Sequence, residues 1–382
     1  MNAGTYIMSF LLALVVSLLL MPPFIKLMVK YRFLDKSGGR KIHKGYTAHM
    51  GGIIIFISFA LTVAAMVFTY FKVTNVALIV SLAVAILIMV FVGIRDDMND
   101  ISPWTKLCFE VIIGLLLAYM GIRVTAITGF SANQIIDIPE WIGYGATVCF
   151  FIVVVNAYNL IDGIDGQAGM QAINTFLFIF LFFILQVGNT IIYNVPFSAL
   201  FINICLVSIV GAIVGFLKYN WQKATIFMGD TGSLFIGTLI TIFSILAMRY
   251  NAEITGGTTI SGLTRKAYIA PFLGYFYLPM ADTLRVFISR ARKGKSPFTA
   301  DETHIHHYFI RLGYSHQRCT LTTFAISLGI SIISSVLAFF VADIIFILII
   351  VASWFLYVHL VHLFVVKKLK SIGEGSFYNH KK

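Results

Sequence analysis

The sequence predicts an all-α polytopic integral membrane protein, and three observations carry that prediction. Of its 382 residues, 59% are hydrophobic and only 12% are charged, and the mean hydropathy is +0.91. The apolar residues fall into runs of about 20, the length at which a helix crosses a bilayer. Lysine and arginine collect between alternate runs, which a soluble chain has no reason to do.

About eleven transmembrane helices follow, at roughly 5–27, 50–71, 75–94, 105–122, 142–160, 168–188, 196–217, 232–248, 267–288, 320–341 and 344–366. The first run, Tyr6 to Leu20, lacks a basic leader and continues toward Pro22-Pro23, so it reads as a permanent span with a kink. The fourth is short and carries Glu110. Segment 123–140 reads as a short extracytoplasmic β-like excursion, and the Gly- and Thr-rich segment 249–266 as an external loop. An odd count puts the termini on opposite sides. Of the 28 basic residues, 23 fall after spans one, three, five, seven and nine or in the tail. That side is expected to be cytoplasmic, with the N-terminus outside and the C-terminus inside. The chain divides into one transmembrane catalytic domain, 1–366, and a basic cytoplasmic tail, 367–382. The formal charge of +12 reflects orientation and anionic head groups in so apolar a chain, and no nucleic acid is expected. Cys108, Cys149, Cys205 and Cys319 show neither pairing nor metal spacing and read as packing residues.

The chemistry collects on the basic side. After span three comes Asp96-Asp97-Met-Asn-Asp100, in which Asp96 and Asp100, four apart, can share a helix face. Two carboxylates that close repel unless a cation or a raised pKa relieves them. Lys106, at the start of span four, is a candidate phosphate contact. Span five ends in Asn156-Ala-Tyr-Asn159-Leu-Ile-Asp162-Gly-Ile-Asp165-Gly, whose polar residues recur every three positions and form a drifting stripe on a helical path. Such carboxylates and carboxamides at a membrane surface can hold a divalent cation and the polar parts of a substrate. Span eight opens with Phe227-Met-Gly229-Asp230-Thr-Gly-Ser233, which offers free amides to a phosphate and a carboxylate to a metal. After span nine, His304-Ile-His306-His307 matches no common zinc spacing and fits a diphosphate better. The first cytoplasmic loop adds His43 and Lys44. A ring of acids, expected to hold Mg²⁺, therefore faces a rim of cations, which calls for an anionic soluble substrate and a partner from the bilayer.

In this order, these four motifs closely resemble the polyprenyl-phosphate N-acetylhexosamine-1-phosphate transferases, a glycosyltransferase family 4 type, over about residues 5 to 320. The resemblance implies that undecaprenyl phosphate attacks a UDP-sugar, most often UDP-N-acetylglucosamine, giving undecaprenyl-diphospho-sugar and UMP. Such a reaction initiates cell-surface glycan assembly, O-antigen included. It implies Mg²⁺, with Mn²⁺ able to substitute, and a multi-pass protein of the bacterial inner membrane whose site faces the cytoplasm. A homodimer is also consistent with the family. By motif, Asp230 and Asp97 are the implied metal ligands, and Asp96, Asp97, Asp100, Asp162, Asp165 and His306 the catalytic set. His43, Lys44, Lys106, Asn156, Asn159, Gly229, His304 and His307 are the implied substrate contacts. Ala48 stands where relatives often carry proline, and Gln167 where leucine is usual. The competing reading is a cation- or proton-coupled transporter using Glu110 and Asp282; the one-sided distribution of acids and the lack of a repeat speak against it. Asp282 and Arg285, three apart, read as a structural ion pair near the site.

Overall fold

A computed structural model describes residues 2–35, 47–70, 76–131, 134–187, 198–221, 223–253, 259–260, 263–264, 266–294, 296, 303–361 and 363. The long helices are α1 (Asn2–Lys30), α2 (Gly52–Tyr70), α3 (Val76–Met98), α4 (Pro103–Tyr119), α5 (Glu140–Ile161), α6 (Gln167–Phe182), α7 (Ala199–Asn220) and α8 (Gly229–Glu253). There follow α9 (Ala270–Tyr275), α10 (Tyr277–Arg292), α11 (Ile305–Arg311), α12 (His316–Leu337) and α13 (Asp343–Leu360). Each of the eleven expected segments falls on helix, and the protein is an all-α polytopic membrane protein.

Among the described residues, nine helices are long and apolar enough to cross a membrane: all of these except α4, α9, α10 and α11. Two expected spans differ from a simple crossing. The fourth is α4, at 17 residues shorter than α3 (23) and α5 (22), the helices it packs against. The ninth is broken at Phe276 (φ −117°, ψ 15°) into α9 and α10. Proline accounts for that break: Pro271 opens α9 and Pro279 lies in the first turn of α10, where a missing N–H costs least. The expected kink at Pro22-Pro23 leaves α1 one continuous helix from Asn2 to Lys30.

The excursion at 123–140 is a β-hairpin, β3 (Ala126–Thr128) against β4 (Ile135–Asp137), after the short pair β1 (Leu34–Asp35) and β2 (Thr47–Ala48). In the 249–266 region α8 runs on to Glu253, and a third antiparallel pair, β5 (Thr259–Ile260) and β6 (Leu263–Thr264), follows. The tail from 367 lies outside the described residues, as do His43 and Lys44.

The bundle is built around α8. Its residues 231–248 are all buried, so protein surrounds that stretch on every side, as it must a central span. Small residues let its neighbours close in: a Cβ at Gly52 of α2 would meet the backbone of Gly232, and one at Gly93 of α3 the backbone of Thr231. Those two contacts fall on the first turn of α8. They bring the C-terminus of α3 and the N-terminus of α2 against Asp230.

The opposite end is tied by one buried carboxylate. Asp343, opening α13, accepts from Thr128 N (2.9 Å) and Oγ1 (3.1 Å), Ile269 N (2.8 Å) and Ala270 N (2.9 Å), and from Tyr268 N at 3.0 Å. It thereby joins the hairpin, the start of α9 and α13.

Candidate active site

The site begins with how α8 begins. Backbone hydrogen bonds from Gly51 N to Phe227 O (2.9 Å) and from Gly52 N to Met228 O (2.8 Å) bind the entrance of α2 to the segment before α8. Gly229 then turns the chain at φ +74°, a region costly for any residue with a Cβ. A side chain there would also approach within 2.6 Å of Asp97 Oδ2. The sequence-predicted substrate contact Gly229 thus serves to aim the first turn of α8 at the end of α3.

Asp97 receives that turn. Its Oδ1 accepts from Asp230 N at 2.7 Å, and its Oδ2 accepts from Thr231 N at 3.0 Å and Thr231 Oγ1 at 2.6 Å. These are the orphan donors of a helix N-terminus, captured by a carboxylate from a neighbouring helix. Asp96 points elsewhere: it is buried, accepts from Ile101 N at 2.9 Å and pairs with Lys106 Nζ. Lys106 also reaches Asp230 Oδ2 at 2.7 Å.

The expected partnership of Asp96 with Asp100 does not form. Helix α3 ends at Met98, so Asp100 is off the helix, exposed and apart from the cluster. Adjacent Asp96 and Asp97 instead reach Asp230 from two directions, one through Lys106 and one through the backbone of α8.

The stripe from α5 is also divided. Asn159 donates to Asp230 Oδ1 (2.8 Å) and to Ser233 Oγ (2.9 Å), completing the grip on Asp230. Asn156, one turn back, donates to the buried Glu110 of α4 at 2.7 Å and to Ile152 O; its amide braces α4 against α5. Helix α5 stops at Ile161, because Asp162 (φ −75°, ψ 49°) leaves the helical region and Gly166 takes φ +75°. The stripe therefore ends in a tight turn rather than continuing as a helix face. Asp162 sits on that turn, and its carboxyl is pushed up to about 7 by burial first, then by the like charges of Asp230, Asp97 and Asp165. Asp165 is buried; its Oδ2 lies 3.6 Å from His316 Nδ1, and its carbonyl accepts from Thr320 Oγ1 at 2.9 Å.

A cavity of about 380 Å³ opens beside these groups, lined by Asn159, Asp162, Asp165 and Asp230 together with His49, Trp221, Lys223, Tyr314 and His316. The last five were not singled out from the sequence. His49 could have been suspected from its place before Met50-Gly51-Gly52; its Nδ1 lies 3.4 Å from Asp97 Oδ1. His316 is hidden in sequence as the first residue of an apolar span.

The histidine turn backs this wall. His306 is 1% exposed, and a Cβ at Gly163 would strike its Nε2. Burial, reinforced by His307, lowers its pKa to about 3, so it is neutral at physiological pH. Its ring lies 4.3 Å from that of His307 and 5.7 Å from the parallel ring of His304. His304 Nδ1 meets Asp282 at 2.9 Å. The carboxylates on which the transporter reading relied are both engaged by side chains of the protein, Glu110 by Asn156 and Asp282 by Arg285 and His304.

The fit of a divalent cation can be judged from this geometry. Both Asp97 oxygens are taken by α8, and among the described residues no group of three or more His, Cys, Asp or Glu stands as a ready metal cage. Asp230 and Asp162, however, both face the cavity: Asp230 accepts one donor on each oxygen, from Asn159 and Lys106, and Asp162 has like charges around it and no cationic partner among the described residues. That is a hard oxygen-donor pair suited to Mg²⁺, with the remaining positions left to substrate and water.

Residues 79–248 match the model for glycosyl transferase family 4, a stretch that holds Asp96, Asp97, Lys106, the Asn156–Asp165 turn and Asp230. The chain is 29% identical over 336 residues to a probable undecaprenyl-phosphate N-acetylglucosaminyl 1-phosphate transferase of Bacillus subtilis, covering 87% of this chain and 84% of the relative. It is 28% identical over 341 residues to the undecaprenyl-phosphate alpha-N-acetylglucosaminyl 1-phosphate transferase of Escherichia coli, again covering 87% and 84%. A decaprenyl-phosphate N-acetylglucosaminephosphotransferase of Mycobacterium tuberculosis is 28% identical over 300 residues, 74% of this chain and 70% of that protein. The resemblance read from the four motifs therefore holds over most of the chain.

Proposed function

We propose that this membrane protein transfers N-acetylglucosamine 1-phosphate from UDP-N-acetylglucosamine to undecaprenyl phosphate, releasing UMP, at the cytoplasmic face of the bacterial inner membrane. The carrying observation is convergence. Helices α3, α4 and α5 bring Asp97, Lys106 and Asn159 onto Asp230 of α8, which lies between 71 and 133 positions further along the chain, with Asp162 across the same cavity. The names of the relatives supply the sugar and the lipid class.

In this reading the cavity takes the nucleotide and the diphosphate, and the lipid phosphate arrives beside Lys106. Phosphoryl transfer asks mainly for alignment and charge neutralisation. Asp230 and Asp162 would hold Mg²⁺, which would shield the two anions from each other and polarise the phosphoryl group. Lys106 meets the incoming phosphate monoester, and Asn159 with Asp97 keeps Asp230 from turning away. Neutral, buried His306 stiffens the Asp162–Asp165 turn from behind. An oxygen of the lipid phosphate bonds to the sugar-proximal phosphorus as the bond to the UMP oxygen breaks, so UMP leaves with the electron pair. Direct attack is favoured over an aspartyl-phosphate intermediate, because three donors already occupy the lone pairs of Asp97.

The test is purified protein in lipid nanodiscs with undecaprenyl phosphate, Mg²⁺ and a panel of UDP-sugars. UMP release with UDP-N-acetylglucosamine is expected; none from any sugar in the panel refutes the reading.

A further inference from the structure

A carboxylate outside the acid cluster organises the histidine turn. Asp282 of α10 is 5% exposed, and its two oxygens serve different partners. Oδ1 accepts from Arg285 Nε at 3.1 Å, Arg285 Nη2 at 2.6 Å and Tyr357 OH at 2.9 Å. Oδ2 accepts from Ile305 N at 3.1 Å and lies 2.9 Å from His304 Nδ1. Arg285 also donates to Thr303 O at 2.6 Å, so α10 grips the residues on both sides of His304. Helix α13 holds α10 in turn: besides Tyr357, Trp354 Nε1 donates to Ala281 O at 3.0 Å.

An ionised carboxylate only accepts hydrogen bonds, so the His304 nitrogen facing it must carry hydrogen. In the neutral ring that leaves Nε2 as the lone-pair nitrogen. Nε2 is buried and has no hydrogen-bond partner among the described residues, and a buried polar atom without one is costly unless a ligand or water supplies it. His304 itself is 5% exposed. We propose that Asp282 is a positioning residue that holds His304 as the Nδ1–H tautomer and so reserves Nε2 to accept a hydrogen bond from a hydroxyl or amide N–H of the sugar donor. The identity of that donor group rests on the transferase reading; the tautomer does not.

Asp282→Asn is the discriminating change. Arg285 would claim the carboxamide oxygen, leaving the NH₂ to face His304 Nδ1. That nitrogen must then accept, and the hydrogen moves to Nε2, where it opposes the donor group of the substrate. A merely structural role for Asp282 would not move the tautomer.

The experiment uses the full chain in lipid nanodiscs with ¹⁵N-labelled histidine, His304 being identified by the resonances lost in His304→Gln. The wild type is expected to show protonated Nδ1 and lone-pair Nε2. Asp282→Asn is expected to reverse the two while lowering kcat about 10²-fold, the scale of losing one proton-positioning contact. Protonated Nε2 in the wild type, or an unchanged tautomer in folded Asp282→Asn, overturns the inference. If the variant does not fold, the wild-type spectrum decides by itself. A reversed tautomer in a protein that releases no UMP with any sugar leaves the inference standing and removes the functional reading.

Discussion

The two ends of the bundle use the same residue type in opposite ways. At one end Asp343 is fully buried and surrounded by neutral donors, four backbone amides and one hydroxyl, all from its own fold. At the other end Asp162, Asp165 and Asp230 crowd together beside an open cavity, with Asp97 capping α8 behind them, and burial and mutual repulsion push Asp162 up to about 7. A satisfied carboxylate is part of the structure, since every lone pair already has its partner. A crowded set is held in place by the rest of the fold and waits for a cation and a substrate. The contrast separates stability from function on two residues of one chemical type.

The largest test of that contrast is Asp230→Asn. UMP release should fall about 10³-fold, the range for losing a preorganised electrostatic group, while the thermal midpoint drops only modestly: Asp230 loses its pairing with Lys106, which keeps Asp96 as a partner. Chelation of divalent cations should have a comparable effect on turnover and be reversed by Mg²⁺. Activity retained by the variant would break the assignment. Asp343→Asn should do the reverse. It places an NH₂ among donors and should cost about 3 kcal/mol of stability in a detergent-melting assay, with turnover per folded molecule within about twofold of wild type. A stable Asp343→Asn protein with lost turnover would erase the distinction between the two ends.

A finer test uses His306. Its folded pKa of about 3 lies below the unfolded value of about 6.5. The unfolded chain therefore binds the extra proton between those values, so stability is full above about pH 6.5 and falls as the pH drops toward 3. At pH 5 the cost is about 2 kcal/mol, and His306→Asn should melt with that much less acid sensitivity. Equal pH dependence of the two melting curves would mean that His306 titrates normally. The smallest effect is expected from Gly163→Ala, whose new methyl meets His306 Nε2. Overpacking there should raise KM for the UDP-sugar about tenfold and cost on the order of 1 kcal/mol of stability.

The arrangement of segments was legible because a bilayer imposes it: about 20 apolar residues per crossing and a basic bias at one face leave a mark in composition and order. Each of the eleven apolar segments falls on helix, nine of those helices being long and apolar enough to cross a membrane among the described residues; the β-like excursion at 123–140 and the Asp282–Arg285 pair were legible from local pattern as well. The residue types of the site were legible too, because clustered acids beside a membrane are rarely there without a use. What each acid touches was not. Helical periodicity placed Asp100 with Asp96, yet α3 ends two residues before Asp100; it strung Asn156 to Asp165 along one face, yet the helix stops at Ile161. Where a helix terminates depends on the neighbours that capture its end groups, and those neighbours lie up to 134 positions away, as Thr231 does from Asp97. Composition and order thus determined the class of protein and the acids and amides of its candidate site, though not the His49, Trp221, Lys223, Tyr314 and His316 that line the cavity with them. The tertiary structure alone decided which carboxylate closes a helix, which one faces the cavity and which histidine nitrogen is left open, because those are contacts between segments and no local pattern encodes them.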